Sequence, residues 1–203
     1  MIYRQNFTFY QKKTGFALFD GIRAWRFVPM TALALALCFM ASAWQMAQAD
    51  EGKILNLKQA HDTVFPEEVL VTDDGAGFAM AAQDNAVIVN FWASWCAPCV
   101  HELPALAKAA EILKDGDMPI DVVLISVDRK GADHAQNFLD ERGISGVVSA
   151  YNPTSTWPRV LGLSGLPSTY VISRDKSKIY LLHGPATWDD AAVLAEVQAA
   201  IAP

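Results

Sequence analysis

Basic residues are scarce over most of this chain. Of its 16 lysines and arginines, five (Arg4, Lys12, Lys13, Arg23 and Arg26) fall in residues 1–49, where Asp20 is the only acid. Residues 50–203 therefore hold 11 basic against 21 acidic residues. That balance argues against nucleic acid as a partner, because phosphates would be repelled. Cysteine is scarcer still, with three residues in 203. Cys96 and Cys99 form a single C-x-x-C pair, and the four histidines, His61, His101, His134 and His183, are scattered. A structural zinc site needs four ligands, usually two such pairs or one pair with two closely spaced histidines, so the count argues against zinc. Internal repeats and low-complexity tracts are also lacking, and 52% hydrophobic composition gives this length one well-packed core.

Charge is missing altogether from Phe27 to Ala47. About twenty apolar residues in a helix span a bilayer core. All the basic residues of the leader precede this run, which predicts a cytoplasmic N-terminus with the rest of the chain carried across. The A-Q-A of 47–49, followed by D-E, has the small-x-small form of a signal-peptidase site. The long charged region and the long apolar run favour an anchor over a cleaved signal, and either one exports the acidic part. Cys38, preceded by Leu37 rather than a small residue, reads as an inert hydrophobe within the run. The expected organisation is a leader and membrane segment over 1–49, a polar linker over 50–64 and one domain over 65–203.

Within that domain E-V-L-V-T-D (68–73) predicts a short strand, and A-V-I-V-N-F-W (86–92) a strand buried on both faces. A helix is expected over 97–114, kinked at Pro104. A second buried strand follows at 120–128, then a helix over 133–143 stopped by Gly143. A short strand at 146–151, a helix over 154–162, a hairpin of 168–173 and 178–183 and a capped helix over 187–201 complete the pattern. Strands alternating with helices, then a hairpin and a last helix, predict an α/β sandwich with a mixed sheet.

What can Cys96 and Cys99 do? A disulfide closing so short a loop restrains the unfolded chain little, so a structural staple is a poor reading. Two thiolates and a histidine bind Cu(I), but His101 falls on a helix face turned away from the pair. Dithiol–disulfide exchange suits the pattern better. A buried strand ending in N-F-W-A-S-W delivers Cys96 to a helix N-terminus, where unpaired amides and the dipole stabilise a thiolate. Cys99 lies one turn further in, placed to resolve a mixed disulfide. Pro98 costs no hydrogen bond in the first turn.

W-A-S-W-C-A-P-C, followed about 70 residues later by G-L-P-S-T-Y, resembles the thioredoxin superfamily. With H-E-L-P after the pair, the segment looks like the extracytoplasmic TlpA/ResA/CcmG-type branch, and H-G-P-A-T-W (183–188) is similar to TlpA members in particular. The resemblance implies a thioredoxin-like fold with a mixed central sheet flanked by helices. It implies a cis Pro167 facing the cysteines, and Leu166 offering its backbone to an extended substrate. Thioredoxins of the cytoplasm carry a buried aspartate where this chain has Asn90, which cannot titrate. Glu102, three residues after Cys99 on the same helix, is the candidate replacement for proton exchange; the alternative is a solvated glutamate that merely favours the dipole. Trp95 is read as a rim residue able to dock substrate, Trp92 as packing, and His101, His134 and His183 as surface or loop residues.

The dipeptide Ala97–Pro98 supplies no positive partner for Cys96, which favours a reducing couple over an oxidising one. A reductase outside the cytoplasm must be recharged. The resemblance implies a membrane thiol transporter of the DsbD/CcdA type as donor. It also implies clients whose cysteines must be free for haem or copper, as in cytochrome c or cytochrome oxidase maturation. The expectation is thus a monomeric, periplasm-facing thiol–disulfide reductase of the bacterial inner membrane, periplasmic if cleaved after Ala49, with no cofactor and no metal. The alternatives are a disulfide-inserting oxidant using the same residues and a non-enzymatic Cu(I) carrier.

Overall fold

The computed structural model describes residues 54–203, apart from 115, 117, 118, 153 and 155. The predicted anchor or signal at 27–47, with Cys38, lies outside the described residues. Among those described, no helix is long and apolar enough to cross a membrane.

Seven strands form one sheet: β1 (Lys58–Gln59), β2 (Val71–Thr72), β3 (Ala86–Trp92), β4 (Ile120–Ser126), β5 (Val148–Tyr151), β6 (Ser168–Ile172) and β7 (Ile179–His183). Their order is β1-β7-β6-β3-β4-β5-β2, with β3–β4 and β4–β5 parallel and the other pairs antiparallel. Among the described residues three α-helices connect strands, α1 (Ala97–Lys114), α2 (Ala132–Asp140) and α3 (Thr156–Val160), and a fourth, α4 (Ala191–Ile201), follows β7. This is the mixed α/β architecture the sequence predicts.

β3 is the reason for the arrangement. All seven of its residues are buried, as a strand covered on both faces requires. Alternation sends Ile88 and Trp92 towards α1, α2 and α4, where they meet Leu103, Leu106, Leu139, Val193 and Val197. Val87, Val89 and Phe91 face the other side, with Phe78, Trp157 and Tyr170. Full burial of each such side chain stabilises the fold by about 1.5–3 kcal/mol. The two layers fix β3, and with it whatever follows Trp92.

Several boundaries differ from expectation. The strand expected at 68–73 is paired only at Val71–Thr72, beside an isolated bridge from Leu70 to Phe78. The last helix starts later than 187 because Asp190 is its cap, its side chain accepting from the Ala192 N–H at 2.7 Å. The larger correction concerns the linker. Residues 54–60 belong to the domain: Leu55 is buried in the core and β1 pairs with β7 through Lys58↔Leu181. The Ile54 and Leu55 N–H groups both donate to Glu196 Oε2, at 2.8 and 3.1 Å. A strand of two residues is too short to leave a periodic signature, so its polar sequence read as a tether.

Candidate active site

The chain leaves β3 at Trp92, crosses Ala93–Trp95 and enters α1. The Cys96 N–H donates to the Ala93 carbonyl at 3.0 Å, which turns the loop into the helix. Cys96 and Cys99 are joined as a disulfide at the first turn of α1, with Cα atoms 5.3 Å apart. Cys96 keeps 6% of its surface exposed and Cys99 none, so only the former is reachable from solvent. The Cys99 N–H points at the Cys96 sulfur, 3.4 Å away. A free helix-terminal amide aimed at that sulfur favours its thiolate once the bond is reduced.

The loop before Cys96 is clamped by a residue that sequence reasoning did not single out. Asp128, 1% exposed, accepts from the Ser94 N–H at 2.8 Å and from the Ser94 hydroxyl at 3.1 Å. The Ser94 Oγ also lies 3.1 Å from His134 Nε2. His134, expected at the surface, is half-buried within this group. β3 and β4 end together, with Trp92 opposite Ser126 and the Val127 N–H on the Trp92 carbonyl at 3.0 Å. Asp128 is therefore brought under the cysteine loop by strand register. An aspartate directly after a buried apolar strand was the available signal.

Glu102, three residues after Cys99 on α1, is 2% exposed. It is not the solvated glutamate of the simpler reading. Its carboxylate accepts from Asn90 Nδ2 at 2.8 Å, from the Ala186 N–H at 3.0 Å and from Trp188 Nε1 at 3.1 Å. Burial pushes the carboxyl above its ordinary value of 4.5, against the lowering pull of these hydrogen bonds. Asn90 also donates to Thr169 Oγ1 at 2.9 Å, its register partner on β6. A groove of about 510 Å³, lined in part by His101, Glu102, His183 and Ala186, connects this carboxylate with the surface. Ala186 and Trp188 come from the H-G-P-A-T-W segment, so that motif closes over Glu102.

The Leu166–Pro167 peptide is cis. The loop around it is tied by Ser168 Oγ donating to the Gly165 carbonyl at 2.8 Å and by the Gly184 N–H on the Pro167 carbonyl at 3.0 Å. Trp95 is 70% exposed, while Trp92 is fully buried. Trp95 and Leu166, 71 positions apart in sequence, line one cleft of about 280 Å³ with Val127, Arg129 and Leu163. Among the described residues no three histidine, cysteine or acidic side chains cluster to hold a metal ion. The site can thus present one reachable sulfur, one buried sulfur, a buried titratable carboxylate and an open cleft beside them.

Comparison with known proteins agrees with this chemistry. A protein-family model described as Redoxin matches residues 59–197. The thiol:disulfide interchange protein CycY of Rhizobium leguminosarum is 32% identical over 108 residues, which is 53% of this chain and 54% of that protein. The chain thus spans about half the length of that relative. A DsbE homolog from Paracoccus denitrificans, also called a thiol:disulfide interchange protein, is 28% identical over 174 residues, 81% of this chain and 90% of its own. Among solved structures, a DsbF homologue from Corynebacterium diphtheriae superposes with a TM-score of 0.57 at 25% identity, covering 73% of this chain and 95% of that one. The fold is thioredoxin-like.

Proposed function

The chain belongs to the Redoxin family, and from that premise we propose that it is a thiol–disulfide reductase acting at Cys96 and Cys99. The observation that carries the reading is the unequal burial of two bonded sulfurs at the N-terminus of α1. In the reduced protein the Cys96 thiolate attacks a client disulfide. A bond forms between Cys96 and one client sulfur, and the other client sulfur leaves as a thiolate that takes up a proton. Cys99 then loses its proton and attacks the Cys96 sulfur. The mixed disulfide breaks, the second client thiol departs, and the Cys96–Cys99 bond is restored. Two electrons and two protons have passed to the client.

Cys99 is fully buried and needs a proton acceptor in the interior. Glu102, one turn further along α1, is our candidate, with its groove as the exit to solvent. Trp95, Leu166 and Pro167 frame the client segment. Relatives named for thiol:disulfide interchange support the activity. The apolar, charge-free run at 27–47 supports a periplasm-facing, membrane-held enzyme. On the motif resemblance we place it near the TlpA-type proteins, recharged by a membrane thiol transporter of the DsbD/CcdA kind. Its clients would be proteins whose cysteines must be free for haem or copper.

The test is to replace Cys99 with serine in the full chain and isolate mixed disulfides from cells. Capture of cytochrome or copper-pathway proteins through Cys96 is the expected result. Capture of a broad set of folding clients, or of none, would overturn the reading.

A further inference from the structure

The loop Val127–Lys130 follows β4 at the same end of the sheet as the cysteines, since Trp92 and Ser126 are register partners. In open α/β sheets, ligands settle beyond the carboxyl ends of the strands. Two clefts lie there. One of about 370 Å³ is lined by Trp95, Val127, Asp128, Arg129 and Lys130. The other, of about 280 Å³, shares Trp95, Val127 and Arg129 and runs to Leu166, beside the cis proline. The exposed indole of Trp95 is the wall common to both.

Their charge is opposite to that of the rest of the domain. Among the described residues, Lys108 and Arg142 form ion pairs, and Arg159, Arg174, Lys176 and Lys178 donate to backbone carbonyls. Lys58, Lys114, Arg129 and Lys130 are exposed and make no side-chain hydrogen bond or ion pair within the same set, and of these four only the adjacent Arg129 and Lys130 line the clefts. The one carboxylate lining either cleft is Asp128, buried and committed to Ser94. Two unengaged cations beside an exposed tryptophan are thus concentrated at the cysteine mouth of a chain segment with 21 acidic and 11 basic residues. Tryptophan and arginine are the residue types that carry most binding energy at interfaces. An arginine fork matches a carboxylate in two hydrogen bonds.

We propose that these clefts recognise an extended client segment whose cysteines are flanked by carboxylate side chains, Arg129 and Lys130 pairing with the acids while Trp95 covers the intervening backbone. The proposal rests on the thiol–disulfide reading of the cysteine pair and names the class of client.

The test uses the reduced full chain in detergent and three oxidised substrates. Two are cyclic C-x-x-C peptides that differ only in glutamate or glutamine at the positions flanking the cysteines; the third is 2-hydroxyethyl disulfide, small and uncharged. The acidic peptide is expected to be reduced roughly tenfold faster than its amide twin at low salt, the advantage shrinking as salt screens it. In the double variant Arg129→Gln, Lys130→Gln that ratio is expected to fall to about one. Because the ratio is taken within one protein, a loss of folded material cancels. Equal rates for the two peptides in the unaltered chain, or a ratio that survives in the double variant, would overturn the proposal while leaving the reductase reading intact. Failure to reduce even the uncharged disulfide would overturn both.

Discussion

The Asn90 amide nitrogen donates to the Glu102 carboxylate at 2.8 Å, joining the central strand to the helix that carries the cysteines. Asn90 stands where the resemblance to thioredoxins implies an acid, and it holds Glu102, the acid we propose as its replacement, in place. This carboxyl group is surrounded by donors yet almost fully removed from water, and burial outweighs the hydrogen bonds, holding its pKa above the ordinary value.

Glu102→Gln tests that group directly. Burial raises its folded pKa, so the folded state binds this proton more tightly than the unfolded state does. The stability conferred by the protonated carboxyl is complete below the ordinary value of 4.5 and is lost as pH climbs through the raised one. Urea midpoints of the original chain are therefore expected to fall relative to those of Glu102→Gln from about pH 4.5 upward. Release of client from the mixed disulfide should slow roughly 10- to 100-fold near neutral pH, with its pH profile flattened. Parallel stability curves with an unchanged profile would remove Glu102 from the relay.

Asp128→Ala should unsettle the cysteine loop. It deprives the Ser94 N–H and hydroxyl of their acceptor, at a cost of about 1–3 kcal/mol. Chemical denaturation gives the loss. Amide hydrogen exchange at Ser94 and Trp95 should rise more than exchange in β3, and equal increases would show a merely global effect.

Leu55→Ala tests whether residues 54–60 belong to the domain. Truncating a buried leucine costs about 2–5 kcal/mol, whereas a leucine on a free tether would cost nothing. Glu196→Ala should leave the core packed but free the Ile54 and Leu55 amides, visible as faster hydrogen exchange confined to 54–60.

What the sequence made legible followed from strong local patterns. The strand 86–92 and the helix 97–114 occur at their expected bounds, because an almost continuous apolar, β-branched run and a helical pattern are each strong local signals. The cysteine pair was visible as a motif. Glu102 could be picked by its spacing from Cys99, but not its burial, since its other partners, Ala186 and Trp188, lie 84 and 86 residues away. Asp128 became part of the site through parallel strand register, and β1 part of the sheet through a two-residue pairing with β7. The position of Asp128 after a buried strand was a local signal, but the pairings that place it and β1 leave no signature in the segments that make them.

In the proposed reaction the Cys96–Cys99 couple gives electrons away. Equilibrating the full chain with thiol–disulfide buffers of known poise, and reading the oxidised fraction by thiol labelling, gives its reduction potential. With Ala97–Pro98 between the sulfurs and no cation there to hold a thiolate, a value near that of thioredoxin, about −270 mV, is expected. A value near that of the strong oxidant DsbA, about −120 mV, would contradict the account and make this protein an inserter of disulfides.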